Sequence, residues 1–314
     1  MGYGLGSAPL WIGFGLLIAA LLIIDLGVFN RRSHVVSTRE AALWTGVWVA
    51  ISLLFNAFVV WRLGLAAGEE FLTAYAVEKA LAVDNLFVFY AVFTAFSVPR
   101  EHQHRVLFWG ILGAIVMRTV MVFAGVSLLA RFHWLVFIFG AVLIVTGVKM
   151  MKRHDDRPHV ENSRLLRLLK RIIPSTDEVH GRRFFVKLDG AWKATPLFLA
   201  LLFLEGTDAV FAVDSIFAIF AITLDPFILL TSNIFAVLGM RSLYFVLSSA
   251  ANRFAYVQPG LALVLVFVGV KMMAADWIKI PVLVSLGIVA ALVGGSILLS
   301  MWHRRAEAPV AQPG

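Results

Sequence analysis

The sequence predicts an all-α, polytopic transmembrane helical bundle of about nine spans, N-terminus outside and C-terminus inside, and three observations carry that prediction. The first is composition. Of 314 residues, 61% are hydrophobic and only 15% charged, with a mean hydropathy of +0.89, outside the range of soluble globular domains. The second is spacing. Crossing about 30 Å of hydrocarbon takes roughly 20 apolar residues, and nine runs come close to that length: 9–29, 41–61, 71–97, 106–129, 132–150, 195–222, 226–250, 257–273 and 281–302. The third is where the basic residues fall. Arg31, Arg32, Arg39, Arg100, Arg105, the connection 149–193, Arg253, Arg304 and Arg305 lie on one side, against Arg62, Arg131, Lys271 and Lys279 on the other. That is the positive-inside pattern. The net charge of +8 therefore sets topology and implies no nucleic-acid partner.

The first run ends LLIIDLGVFN, which places Asp25 in apolar surroundings near the inner end, either snorkelling to the headgroups or serving a pathway. It has no basic leader and no small-residue cleavage site, so it reads as a retained helix and not a signal peptide. The second run carries Trp44, Trp48 and Trp61, read as interface anchors, and Asn56, an amide suited to bonding a neighbouring helix. The third holds Glu78, Lys79, Asp84 and Asn85. Residues six apart sit about 120° apart on a straight helix. Either the helix unwinds there or Glu78 and Asp84 face different neighbours, with Lys79 placed to neutralise one of them. His102 and His104, in the loop VPREHQHR, lack acidic partners and read as surface residues.

The fourth and seventh runs carry Met117-Arg118 and Met240-Arg241, and the fifth and eighth end in GVKMM, at 147–151 and 269–273. The sixth contains EGTDAVFAVDSIFAIFAIT, residues 205–223, with three carboxylates. Each costs at least about 2.5 kcal/mol at the centre of a bilayer, so three imply a purpose. Residues 78–87, EKALAVDNLF, align without gaps with 208–217, DAVFAVDSIF, matching Glu78 to Asp208 and Asp84 to Asp214. The acidic, arginine and GVKMM helices thus recur in order at offsets of 130, 123 and 122 residues. A three-span unit repeated once must be inserted upside down, the plan of many secondary transporters, whose substrate sites sit near the midplane between repeats. The expected organisation is two N-terminal helices (1–70), a first repeat (71–151), a basic connection (152–194), a second repeat (195–273), and a last helix with a short tail (274–314). Within the connection, NSRLLRLLKRIIP sets leucine and isoleucine opposite arginine and lysine at helical spacing. Residues 152–183 thus suit either the anionic inner leaflet or a protein partner.

Glu78, Asp84, Glu205, Asp208 and Asp214, with Asn85, Ser215 and Thr207 nearby, offer hard oxygen ligands, and the chain has no cysteine. Oxygen-rich sites suit Mg²⁺, Ca²⁺ and Mn²⁺ rather than softer metals. Burial and mutual repulsion favour protonation of an empty carboxylate cluster, so exchange of protons for a cation follows. Lys79, Arg118 and Arg241 either stand in for the ion on the return step or pair with carboxylates. No phosphate loop, nucleophile elbow or His-Glu-x-x-His motif points to an enzyme. A two-aspartate intramembrane protease is disfavoured because the cluster is larger than a dyad and recurs in both halves. No tightly bound cofactor is expected.

At DLGVF (25–29), EFLTAYAVEKALAVDNLFVF (70–89), HRVLFWGILGAIVMR (104–118), ATPLFLALLFLEGTDAVFAVDSIFAIFAIT (194–223), TSNIFAVLGMRSLYF (231–245) and VFVGVKMM (266–273), the chain resembles the TerC family, named after tellurium resistance and related to LysE-type exporters. The resemblance implies a multi-pass bacterial inner-membrane protein in which Glu78, Asp84, Glu205, Asp208 and Asp214 serve manganese export. The alternative is a non-transporting scaffold or accessory protein tied to tellurium resistance indirectly; a carboxylate cluster would itself repel an oxyanion. Two departures stand out. Phe217 occupies the place of a family proline that would break the sixth helix, and Ala80 and Ala82 replace two serines.

Overall fold

A computed structural model describes residues 6–29, 37–132, 134–152, 171–188, 190–248, 257–274, 277–278 and 280–307. Helices α1 (Ala8–Phe29), α2 (Thr38–Leu63), α3 (Leu65–Ala95), α4 (Arg100–Arg131) and α5 (Leu135–Lys152) are followed by a hairpin of β1 (Phe185–Leu188) and β2 (Ala191–Ala194). Then come α6 (Pro196–Phe220), α7 (Pro226–Leu238), α8 (Met240–Ser248), α9 (Val257–Met273) and α10 (Val282–Glu307). By length and composition, six of these can cross a membrane: α1, α2, α4, α6, the α7–α8 pair and α10. α5 and α9 are apolar but shorter, and the continuous helix α3 carries Glu69, Glu70, Glu78, Lys79 and Asp84.

Local chemistry marks the helix ends. Ser37 accepts a hydrogen bond from the Glu40 amide at 3.2 Å and caps α2. Gly64, with φ of +96°, turns α2 into α3 within one residue, a backbone that favours glycine. Asp225 caps α7, accepting from the Phe227 and Ile228 amides at 2.9 and 3.0 Å, with Pro226 in the first turn.

The α7–α8 rod is the most enclosed element, wrapped by α2, α3 and α4, while α1, α2 and α10 present most of their surface outward. Aromatic rings fill the space around its start, with Phe55 and Phe235 centroids 4.6 Å apart and Phe71 and Phe227 alongside. Hydroxyls inside α7 bond back to its own carbonyls, Thr231 to Phe227 at 2.7 Å and Ser232 to Ile228 at 2.7 Å, which satisfies them without water. α3 lies on α7, α4 lies on α6, and α5 lies on α9.

Several features differ from the sequence expectation. The seventh run is divided at Gly239 into α7 and α8. α3 starts at Leu65, so the boundary at residue 70 falls inside a helix. α3 runs unbroken through Glu78 and Asp84, which removes the unwound alternative. His102 and His104 are buried in the first turns of α4, not surface residues, because Pro99 starts that helix before the loop is over. Trp48 is a core residue, while Trp61 is exposed as an anchor should be. α6 continues through Phe217, whose ring stacks on Phe139 of α5 with centroids 3.8 Å apart. The connection ends in the hairpin, seated on α6 by Phe185 against Phe198 at 4.3 Å. It is also tied to α4 where Arg105 donates to the Arg182 carbonyl. The amphipathic stretch over 162–170 lies outside the described residues.

Candidate ion site

The buried centre of the bundle is organised by Arg118. Its guanidinium, fully buried on α4, reaches both acidic helices, α3 and α6. It pairs with Glu78 of α3 and donates to Asp208 of α6 through Nη2 at 3.2 Å and Nε at 3.4 Å. Nη1 also donates to Asn233 Oδ1 of α7 at 3.1 Å. Glu78 and Asp208, aligned in the sequence comparison of 78–87 with 208–217, thus meet on one cation. Charge-assisted, forked bonds of this kind fix geometry as well as supply energy. The cluster is incompletely satisfied: among the described residues, Glu78 Oε2 and Asn233 Nδ2 have no hydrogen-bond partner.

Glu205 completes the acidic wall. It lies one helical turn before Asp208, and both line a small cavity of about 20 Å³ together with Gly110, Ala114, Val237 and Arg241. A cavity of that size holds about one water-sized guest. The Glu205 carboxylate occupies the space a side chain at Gly113 would fill. Glycine there lets the acid lie against the α4 backbone. No described residue donates a hydrogen bond to it.

The other candidates lie apart. Asp214, six residues or about 9 Å further along α6, is approached by Thr146 Oγ1 of α5 at 3.5 Å. Asp25 is buried and pairs with Arg241 of α8. Lys79 takes no described carboxylate: its ammonium donates to the Ala236 carbonyl at 3.1 Å, beside the Gly239 break, with the Tyr75 ring 5.9 Å away. Gly239 leaves room for that ammonium. Thr207 and Ser215 bond back to Leu204 and Ala212 of their own helix. Asn85 is buried on α3, and Asn56 faces Gly68 at the α2–α3 crossing. The Asp84 side chain lies outside the described ones. Among the described residues, no three acidic or histidine side chains gather closely enough to hold a metal ion. Sequence reasoning missed Asn233 and Thr146; an amide in the apolar run of α7 was the available signal for the first, and a hydroxyl beside GVKMM for the second.

The fold and this centre define a multi-pass helical membrane protein in which buried carboxylates of α3 and α6 meet on an arginine of α4. Residues 63–308 match the model of the integral membrane protein TerC family. The chain belongs to that family. It is 50% identical over 300 residues to "Uncharacterized membrane protein STKORF319" of Myxococcus xanthus, covering 96% of this chain and 94% of that one. It is 46% identical to "Putative membrane-bound redox modulator Alx" of Salmonella typhi over 311 residues, 96% of this chain and 97% of the relative. The protein of that name from Escherichia coli (strain K12) is 46% identical over 306 residues, 95% of each. No solved structure matches the chain.

Proposed function

We propose that the protein exports a divalent metal cation, Mn²⁺ before Ca²⁺ or Mg²⁺, in exchange for protons, from the cytoplasm across a bacterial inner membrane. The observation that carries this reading is the guanidinium held between Glu78 and Asp208. A tethered cation rests where two carboxylates from the two halves converge, so an incoming divalent ion can displace it and take oxygen ligands from both sides. The exchanged packing of α3 on α7 and α4 on α6 supports the inverted-repeat plan, and rocking of one repeat against the other would alternate access. The name of the Alx relatives points to redox balance. This chain has no cysteine, so it offers no thiol–disulfide couple of its own, and we assign any redox effect to the cation moved.

Purified protein in sealed proteoliposomes should carry Mn²⁺ with opposite proton movement, and Asp214→Asn should abolish both fluxes while leaving the protein folded. Tellurite should not be carried. Absence of any cation flux from folded, oriented protein would favour the scaffold alternative, with residues 152–183 as the place to seek a partner.

Gly113→Ala gives a second test. The nearest atoms the added methyl meets belong to the end of the Glu205 side chain, which can swing aside, so the helix accepts it; alanine is the better helix former by about 1 kcal/mol. Thermal stability should hold or rise slightly while Mn²⁺ flux falls on the order of tenfold, the usual scale for misplaced ligands. Unchanged flux would remove Glu205 from the pathway.

A further inference from the structure

The two arginines that mark the repeat are used unequally. Arg118 sits on Glu78 and Asp208, both inside the repeated units. Arg241, its counterpart at the same place in the second unit, is paired instead with Asp25, on a helix that belongs to neither unit. Yet Arg241 lines the small cavity that Glu205 and Asp208 line. Three charged side chains therefore border that cavity, two acids and one guanidinium, and the guanidinium is turned to a carboxylate outside it. Asp25 and Arg241 are only 6% and 4% exposed, so their pairing is set by packing and not by chance contact at a surface.

We infer that Asp25 is a positioning residue for transport: it holds Arg241 away from Glu205 and Asp208 and so keeps the acidic cavity open to a divalent cation. This rests on the cation reading above. The physical reason is competition. With Arg118 already on Asp208, a second guanidinium turned toward Glu205 would cancel the remaining negative charge of the cavity and fill its small volume. A cation would then have to displace two tethered charges instead of one. Release of Arg241 from Asp25 during the transport cycle would let it cover the emptied carboxylates in place of the departing ion, the role its repeat mate Arg118 holds in this structure.

The inference predicts a specific kinetic pattern. Asp25→Asn should raise the KM for Mn²⁺ at least about tenfold, 1.4 kcal/mol of apparent affinity, with the maximal flux largely kept. Asp25→Glu should retain low KM. The double variant Asp25→Asn/Arg241→Gln should recover most of the lost affinity, because the competing charge is gone. A double variant as impaired as Asp25→Asn alone would overturn the inference, as would Asp25→Asn with unaltered KM. A second measurement does not depend on transport. In detergent, Glu205→Gln should lower the unfolding temperature more in the Asp25→Asn background than in the wild type, since only there does Arg241 rest on Glu205. Equal shifts in both backgrounds would overturn the inference. If the wild type moves no cation, the exporter reading fails, and this thermal comparison alone decides whether Asp25 directs Arg241.

Discussion

Arg118→Leu should cost more stability than any other single change at the centre, on the order of 3–5 kcal/mol, the range found when one partner of a buried ion pair is removed. Glu78 and Asp208 would be left as carboxylates in the bundle interior with no cation between them, and Asn233 would lose its donor. With a typical total stability of about 5–15 kcal/mol, the variant should be recovered in low yield and aggregate on extraction. The triple variant Glu78→Gln/Arg118→Leu/Asp208→Asn should recover much of the loss, since removing every charge of a buried group is often near neutral. It should nevertheless carry no cation. Size-exclusion profiles and unfolding temperatures of the three proteins check the first part, and flux checks the second. If Arg118→Leu is as stable as the wild type, the guanidinium does not hold the two halves together.

That cluster also shows what could be read from the chain and what could not. Hydropathy located the helices well because it reports contact with lipid, and the nine apolar runs all fall on helices, the seventh on the α7–α8 pair. It did not report the break at Gly239; there Lys79 arrives from α3 and donates to the Ala236 carbonyl, a long-range contact that hydropathy does not register. The repeat identified Glu78, Asp208 and Arg118 as special positions, but pairing is a property of space. Arg118 bonds acids from both halves, whereas Arg241, in the same sequence context, pairs with Asp25. His102 and His104 differ from the sequence expectation for a related reason. A charged, loop-like sequence after Pro99 looks solvated, yet α4 begins there and turns both rings inward. Gln103, between them, bonds the Val98 carbonyl at 3.1 Å and accepts from the Tyr244 hydroxyl of α8 at 3.0 Å. These long-range partners have no local signature.

Glycine-to-alanine changes along the α5–α9 seam should be the other strongly damaging substitutions, and the same change at helical glycines that face open space should be harmless. Lipid is as apolar as a leucine side chain, so helices in a membrane associate through close packing, and small residues at the contact permit it. A Cβ at Gly147 would lie 2.7 Å from the Ala262 carbonyl oxygen, and one at Gly269 would lie 2.7 Å from that of Gly140. Backbone on the far side cannot rotate away as a side chain would. The helices must separate, and the contacts along the seam loosen with them. Overpacking of this kind costs about 1–3 kcal/mol per site, so Gly147→Ala/Gly269→Ala should unfold well below the wild type. Gly13→Ala and Gly46→Ala, where nothing lies within 4 Å, should instead gain up to about 1 kcal/mol from helix propensity. Thermal unfolding of the three variants and the wild type in one detergent makes the comparison. Both GVKMM motifs begin with these glycines, so the motif reads as the contact between α5 and α9. Loss of transport in the seam variants, at temperatures where they remain folded, would show that the halves must stay joined there while they move around the ion. Retained transport would confine the seam to stability.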